Sequence, residues 1–346
     1  MATDRVLPLT FDPRANERAN EPEIYLYSRW FYQREDPLRV RFPPYELQGM
    51  TPVRYLLEVQ KELELAAGVH KVRIANDDHP YVFKEIDRPL YEPSDTDILE
   101  QELKNLELVR GSHFIVQLVA VVVSPNPYRT STTAGDDDFL VLRGFLLEFH
   151  PHGTLEDALQ SPDPVGAQSL QRWALHIAMG LQELHNLKLT HMDLKPSNIV
   201  INAEGDAILI DISGRAITQE WLSPEMRDLF SPCSEDLDTR IRNDFWAFRR
   251  LLSLMCSRSS DIQEQELLHS LESIVDPRPH ISLCEAISKL QSRCIISTHP
   301  SQPRHYRTRR STCHLEKGQY FANVTWTGNQ PGPSRTPSAF WSQPDK

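Results

Sequence analysis

Partway along this chain, hydrophobic periodicity changes from short strand-like runs to helical stripes, and that order narrows the fold more than any other feature. VHKVRI (69–74) and YVFKEI (81–86) are apolar or alternating runs parted by Asn76-Asp77-Asp78-His79-Pro80, which predicts a hairpin. A helix is expected from about Asp95, with Leu99, Leu103, Leu106 and Val109 on one stripe. FIVQLVAVVV and FLVLRGFLLEF then read as two more strands, joined by the polar loop SPNPYRTSTTAGDDD. Leu170, Trp173, Ala174, Ile177, Leu181 and Leu184 mark a strong helix that runs into LKLTHMDLKPSN. IVIN, the turn AEGD and AILID form a second hairpin, and everything beyond Asp244 reads as helical.

The two ends differ from this middle. Of 26 prolines, 7 fall in residues 1–52 and 6 in residues 299–346, so regular packing belongs between them. The stretch from His299 is rich in Ser, Thr, Gln, Pro and Arg without amphipathic period, and a disordered tail is expected over 298–346. Its Arg304, Arg307, Arg309 and Arg310 read as solvated charges. A net charge of -11 argues against a nucleic-acid binder. The longest strongly apolar stretch, Phe114–Val123, is too short to cross a bilayer, and the N-terminus lacks the pattern of a signal peptide. An intracellular protein, cytoplasmic or nuclear, with no membrane partner is therefore expected. The 5 cysteines include no CxxC, so neither a disulfide framework nor a zinc site is indicated. His150 and His152 lack a third ligand in sequence and read as loop histidines.

The chemistry concentrates around the second hairpin. Asp193 and Asn198 share one loop, and the hairpin over 199–210 must return the chain so that Asp211 ends near its start. A carboxylate free of metal can accept a proton, while a second carboxylate with an amide oxygen offers Mg²⁺ the hard ligands it prefers. Lys195 adds positive charge where a transferring phosphoryl group would sit.

HMDLKPSN matches the catalytic-loop pattern HRDxKxxN, and with the strands-then-helices order the chain resembles a protein kinase domain over about 53–297. The resemblance implies an α+β fold of two lobes: a small β-rich lobe with one helix (about 53–148) and a larger helical lobe (about 149–297), preceded by an extension over 1–52. The shortened middle of the domain resembles kinase-like proteins abundant in filamentous fungi. Lys84, in Val82-Phe83-Lys84, would be the small-lobe lysine, with Glu102 rather than Glu100 as its ion-pair partner. Leu147 would be the gatekeeper and Glu148-Phe149-His150 the adenine-binding hinge, with Val82 and Val200 also at the nucleotide. Asn198 and Asp211 would hold metal, and Ser223-Pro224-Glu225 resembles APE. Asp244-Phe245-Trp246 looks like the start of the central helix of the large lobe, and Arg278 would pair with the APE glutamate.

By the same resemblance, ATP and Mg²⁺ are the implied cofactors and Ser/Thr hydroxyls of a protein the implied acceptors. Asp193 would be the proton acceptor, Lys195 would steady the γ-phosphate, and Thr218 would steady both; small-molecule phosphotransferases of this fold generally lack that threonine run and lysine. Three departures stand out. Residues 53–83 contain a single glycine, Gly68, where a Gly-rich loop is usual; DFG reads Asp211-Ile212-Ser213 with Gly214 one place late; and Met192 replaces the loop arginine that would clamp a phosphorylated activation segment. A pseudokinase serving as a binding module, or a phosphotransferase acting on a small molecule, are the alternative readings.

Overall fold

The computed structural model describes residues 40–46, 51–86, 91–128, 139–161, 169–274 and 279–296. All of them belong to the first of two units, Met1–Thr298; the second, His299–Lys346, with the expected tail and its arginines, lies outside the described residues, as do residues 1–39 and Arg278. The described part is an α+β fold of two lobes.

The small lobe is a six-stranded sheet in the order β1-β5-β6-β4-β3-β2, formed by β1 (Val53–Tyr55), β2 (Val59–Ala66), β3 (Val69–Ile74), β4 (Asp77–Glu85), β5 (Leu118–Pro125) and β6 (Leu140–Glu148). β1 runs parallel to β5 and the other pairings are antiparallel. Opposite residues share a face, so the register sorts the side chains. Val72, Ile74, Phe83, Ala120, Val122 and Leu146 form a core on one face. On the other, Val121, Val123, Phe145 and Leu147 meet Leu99, Leu103 and Leu106 of α1 (Pro93–Leu108), the stripe expected from the sequence. At Gly144 β6 leaves no room for a side chain against β4: a Cβ there would stand 2.1 Å from the Lys84 carbonyl oxygen. The segment 40–46 packs on this lobe, with Tyr45 N donating to Leu140 O and Leu142 N to Pro43 O, both at 2.8 Å.

The first hairpin is tighter than its sequence suggests. β3 and β4 are joined by Ala75-Asn76 alone, and Asp77 to Pro80 continue the strand instead of forming the turn. Asn76 takes the left-handed conformation (φ 66°) that Asn tolerates in turns, and Asp77 accepts bonds from His79 N and the Tyr81 hydroxyl.

The large lobe contains α2 (Leu155–Gln160), α3 (Ser169–Asn186), β7 (Ile199–Ile201), β8 (Ala207–Leu209), α4 (Pro224–Arg227), α5 (Leu237–Arg258), α6 (Ile262–Ile274) and α7 (Pro279–Ile296). All six stripe residues expected on α3 are buried, each such aliphatic side chain contributing roughly 1.5–3 kcal/mol. α5 begins seven residues before Asp244, because Asp236 caps it by accepting from Thr239 N at 3.0 Å. Asp244 therefore sits in the helix's second turn, fully buried, where it faces the loop after α3.

Candidate active site

Lys84 leaves β4 on the face that looks toward α1, and three elements close around its ammonium. Nζ lies 2.6 Å from Glu102 Oε2 on α1 and 2.5 Å from Oδ1 of Asp211, just beyond β8. Glu102, not Glu100, points inward and is fully buried. Burial works against the charge on Lys84, but Asp211 and Glu102 outweigh it and hold the amine protonated well above the ordinary lysine range. Burial pushes the Glu102 carboxyl up to about 7 despite the lysine beside it. The same burial would raise Asp211, yet Lys84 prevails and keeps its carboxyl below the usual value. One ammonium thus serves two carboxylates.

The loop after α3 is held from behind. Asp244 accepts from His191 N at 2.9 Å, Met192 N at 2.8 Å and His185 Nε2 at 2.9 Å. These bonds fix Met192 in the left-handed region (φ 67°), which turns the chain so that Asp193 faces the cleft. Asn198 Nδ2 donates to both the carbonyl and the Oδ2 of Asp193, at 2.8 and 2.9 Å. Lys195 Nζ lies 2.8 Å from the same Oδ2 and 2.7 Å from Thr218 Oγ1. Asp193 Oδ1 is buried without a partner among the described residues, so its capacity to accept is unspent there.

Asn198 and Asp211 flank the hairpin as the sequence requires, and Ile210 N donates to Asn198 O at 3.1 Å to bring them together. With Nδ2 committed to Asp193, the Asn198 Oδ1 and the second Asp211 oxygen are left as hard donors, a set that fits Mg²⁺. Among the described residues no group of three His, Cys, Asp or Glu side chains could hold a metal by itself. A divalent ion here would therefore need phosphate oxygens or water to complete its shell.

The altered DFG segment is accommodated by shifting the glycine's role. Ser213 does not enter the left-handed region; Gly214 does (φ 65°), and a Cβ there would stand 2.8 Å from Thr190 O. Ser213 Oγ instead accepts from Arg215 N and Ala216 N, both at 3.2 Å. Asn105 on α1 donates to Ile212 O at 2.7 Å and Ser213 O at 3.2 Å, tying the helix that carries Glu102 to the segment that carries Asp211. Asn105 is absent from the sequence-based site. Its signal was a polar residue one helical turn after Glu102 on the buried face of α1. Met192 packs with Leu222 and Met226, fully buried, so an apolar plug fills the base of the loop.

The end of the cleft at β6, where the sequence expectation puts the nucleotide, departs further from the family pattern. Val82 and Leu147 are partners across β4 and β6, and the bridge Thr154–Val200 sets Val200 below the segment that follows Glu148, Phe149 and His150. Among the described residues the His150 backbone makes no hydrogen bond. The β2–β3 turn is Ala67-Gly68. If the two middle positions of G-x-G-x-x-G-x-V fall on that turn, its glycines fall on Glu64, Ala66 and Val69, and its valine on Lys71. Lys71 pairs with Val82, so it lies on the cleft face, and its Nζ sits 5.1 Å above the Phe149 ring and 3.7 Å from Glu62. A cation thus sits over the segment that follows β6.

A sheet-rich lobe and a helical lobe meeting at a lysine–glutamate–aspartate cluster, with a loop aspartate, lysine and asparagine below, define a protein-kinase-like architecture. Residues 66–226 match the protein kinase domain family, which together with the relatives below supports a member of the protein kinase superfamily. It is 33% identical over 101 residues to mitogen-activated protein kinase kinase kinase 17 of Arabidopsis thaliana, covering 29% of this chain and 27% of the relative. Mitogen-activated protein kinase kinase 10 of the same plant is 26% identical over 223 residues, covering 56% of this chain and 66% of the relative. Death-associated protein kinase dapk-1 of Caenorhabditis elegans is 23% identical over 257 residues, which is 67% of this chain but 16% of that protein. The chain thus spans from about a sixth to about two thirds of the length of these relatives. No helix among the described residues is long and apolar enough to cross a membrane. Glu225 is exposed, and its expected pairing with Arg278 lies outside the described residues.

Proposed function

We propose that this chain transfers the γ-phosphoryl group of ATP, with Mg²⁺, to Ser or Thr hydroxyls of protein substrates. The observation that carries the reading is the closed pair of clusters: Lys84 with Glu102 and Asp211, and Asp193 with Lys195, Asn198 and Thr218. Lys84, positioned by Glu102, neutralises and orients the phosphate chain, while the Leu147–His150 segment takes the base. Asp193 Oδ1 accepts the proton of the attacking hydroxyl as its oxygen bonds to phosphorus and the bond to the leaving ADP oxygen breaks. Lys195 offsets charge on the moving group. Asn198 and Asp211 would hold Mg²⁺, which supplies further charge neutralisation at the phosphates when bound. The Thr218 contact to Lys195 favours a protein acceptor over a small molecule, because it places the substrate-facing loop against the catalytic lysine.

A second reading, a binding module without catalysis, is favoured by Lys71 in the roof and by side chains on the residues aligned with loop glycines. Transfer of labelled phosphate from Mg-ATP to a generic substrate separates the two. Asp193→Asn is expected to lower it by at least about a hundredfold, in line with loss of a general base, while leaving the thermal shift caused by Mg-ATP intact. Wild-type transfer no higher than that of Asp193→Asn, with any divalent metal, would hand the chain to the second reading.

A further inference from the structure

Beside the substrate-facing loop lies a stack of side chains that the chemistry above does not use. Arg250 of α5 has its guanidinium 4.5 Å from the Trp221 ring centre and 5.7 Å from that of Trp246. Arg227 of α4 lies 5.2 Å from the other ring contact, Trp246. Both arginines spend hydrogen bonds on the backbone of the loop: Arg227 donates to Leu222 O at 2.9 Å and Glu220 O at 3.3 Å, and Arg250 to Glu220 O. Although Glu220, Glu225 and Asp228 are close in sequence, no ion pair joins either guanidinium to a carboxylate among the described residues. All four stacked side chains are half-buried, and Ile217 and Phe230 stand exposed on either side of them in the chain. The stack begins three residues after Thr218, whose hydroxyl touches Lys195.

We infer that Trp221, Arg227, Trp246 and Arg250 form a docking surface for acidic side chains of a peptide close to its acceptor hydroxyl. Aromatic stacking and carbonyl bonds hold the two guanidiniums in place, so little side-chain freedom is lost when a carboxylate arrives. Their remaining N–H groups are a planar fork suited to carboxylate or phosphate oxygens. Two fixed positive charges without internal counter-charge select acidic ligands over neutral or basic ones. The inference rests on the protein-substrate reading, but concerns binding and not transfer.

The test is the anisotropy of labelled dodecapeptides on the full chain without nucleotide, each with one serine flanked by Glu, Gln or Lys. The Glu peptide should bind at least tenfold tighter than the Gln peptide and the Lys peptide weakest; Arg250→Gln should abolish that preference, and Arg249→Gln, on an exposed neighbour, should leave it. A phosphoserine-flanked peptide binding tighter than the Glu peptide would support the same surface with phosphate as its ligand. Equal binding of Glu and Gln peptides, or a preference that survives Arg250→Gln, would overturn the inference. Should Arg250→Gln unfold, Arg250→Lys and Arg227→Lys are the substitutes: each keeps the charge but not the planar fork, and a preference undiminished in both overturns it equally. Because no nucleotide is present, an inactive chain that still prefers Glu peptides refutes the transfer reading alone, and an active chain without the preference refutes the docking surface alone.

Discussion

Gly214 carries the backbone freedom that the Asp-Ile-Ser motif lacks, and it does so against the Thr190 carbonyl, where a side chain has no room. Gly214→Ala is therefore expected to cost about 1–2 kcal/mol from the left-handed backbone alone, with the clash added. Ser213→Ala removes bonds of about 0.5–1.5 kcal/mol each without strain. Urea unfolding of the two variants compares them; a Gly214→Ala protein as stable as wild type would contradict the geometry. His176 makes a second residue-level test. It stacks on Phe114 at 4.7 Å, and its Nδ1 accepts from Ala207 N at 3.3 Å, an arrangement open only to the neutral ring. Burial holds its pKa down at about 4, against the pull of Asp206. A depressed folded-state value means that the stabilisation is present above the unfolded pKa of about 6.5 and is lost as pH falls from there toward 4, by roughly 2–3 kcal/mol. His176→Gln, which keeps an acceptor but no titration, should flatten that part of the pH–stability curve; an unchanged slope would assign it elsewhere.

Among the elements, what could be read from the sequence depended on which face was buried. α1 and α3 were legible because their stripes face the core. β2, VQKELELA, was not: it is an edge strand, none of its side chains is buried, and Leu63 and Leu65 are exposed, so no alternation survives. The start of α5 was placed too late because the stretch from Leu237 to Asn243 is mostly polar and is helical by virtue of its Asp236 cap. In the site, ordered motifs located Lys84, Asp193, Asn198 and Asp211, whereas Asn105 and Lys71 depend on helix facing and strand register, which short motifs do not carry. Lys71 gives the β2–β3 hairpin its own prediction. A cation above the hinge hinders an apolar base face, so Lys71→Val should strengthen Mg-ATP binding several-fold in calorimetry. Weaker binding by the variant would show that the lysine instead serves the nucleotide.

At the scale of the whole molecule, the described site is held together by side chains that need no added phosphate. Asn105 links α1 to the segment after Asp211, Asp244 holds the catalytic loop from α5, and Met192, Leu222 and Met226 seal its base with apolar contacts. Only six residues separate Asp211 from Thr218, and Ser213, the hydroxyl among them, already caps the segment. The site is thus assembled by packing, with Asp193 Oδ1 unpartnered among the described residues and Thr218 bonded to Lys195. The most direct measurement is tandem mass spectrometry of a protein mixture incubated with purified chain and Mg-ATP labelled in the γ-phosphoryl oxygens. The account predicts labelled phosphate on serine and threonine, absent with Asp193→Asn; label only on tyrosine, only on small molecules, or nowhere would contradict it.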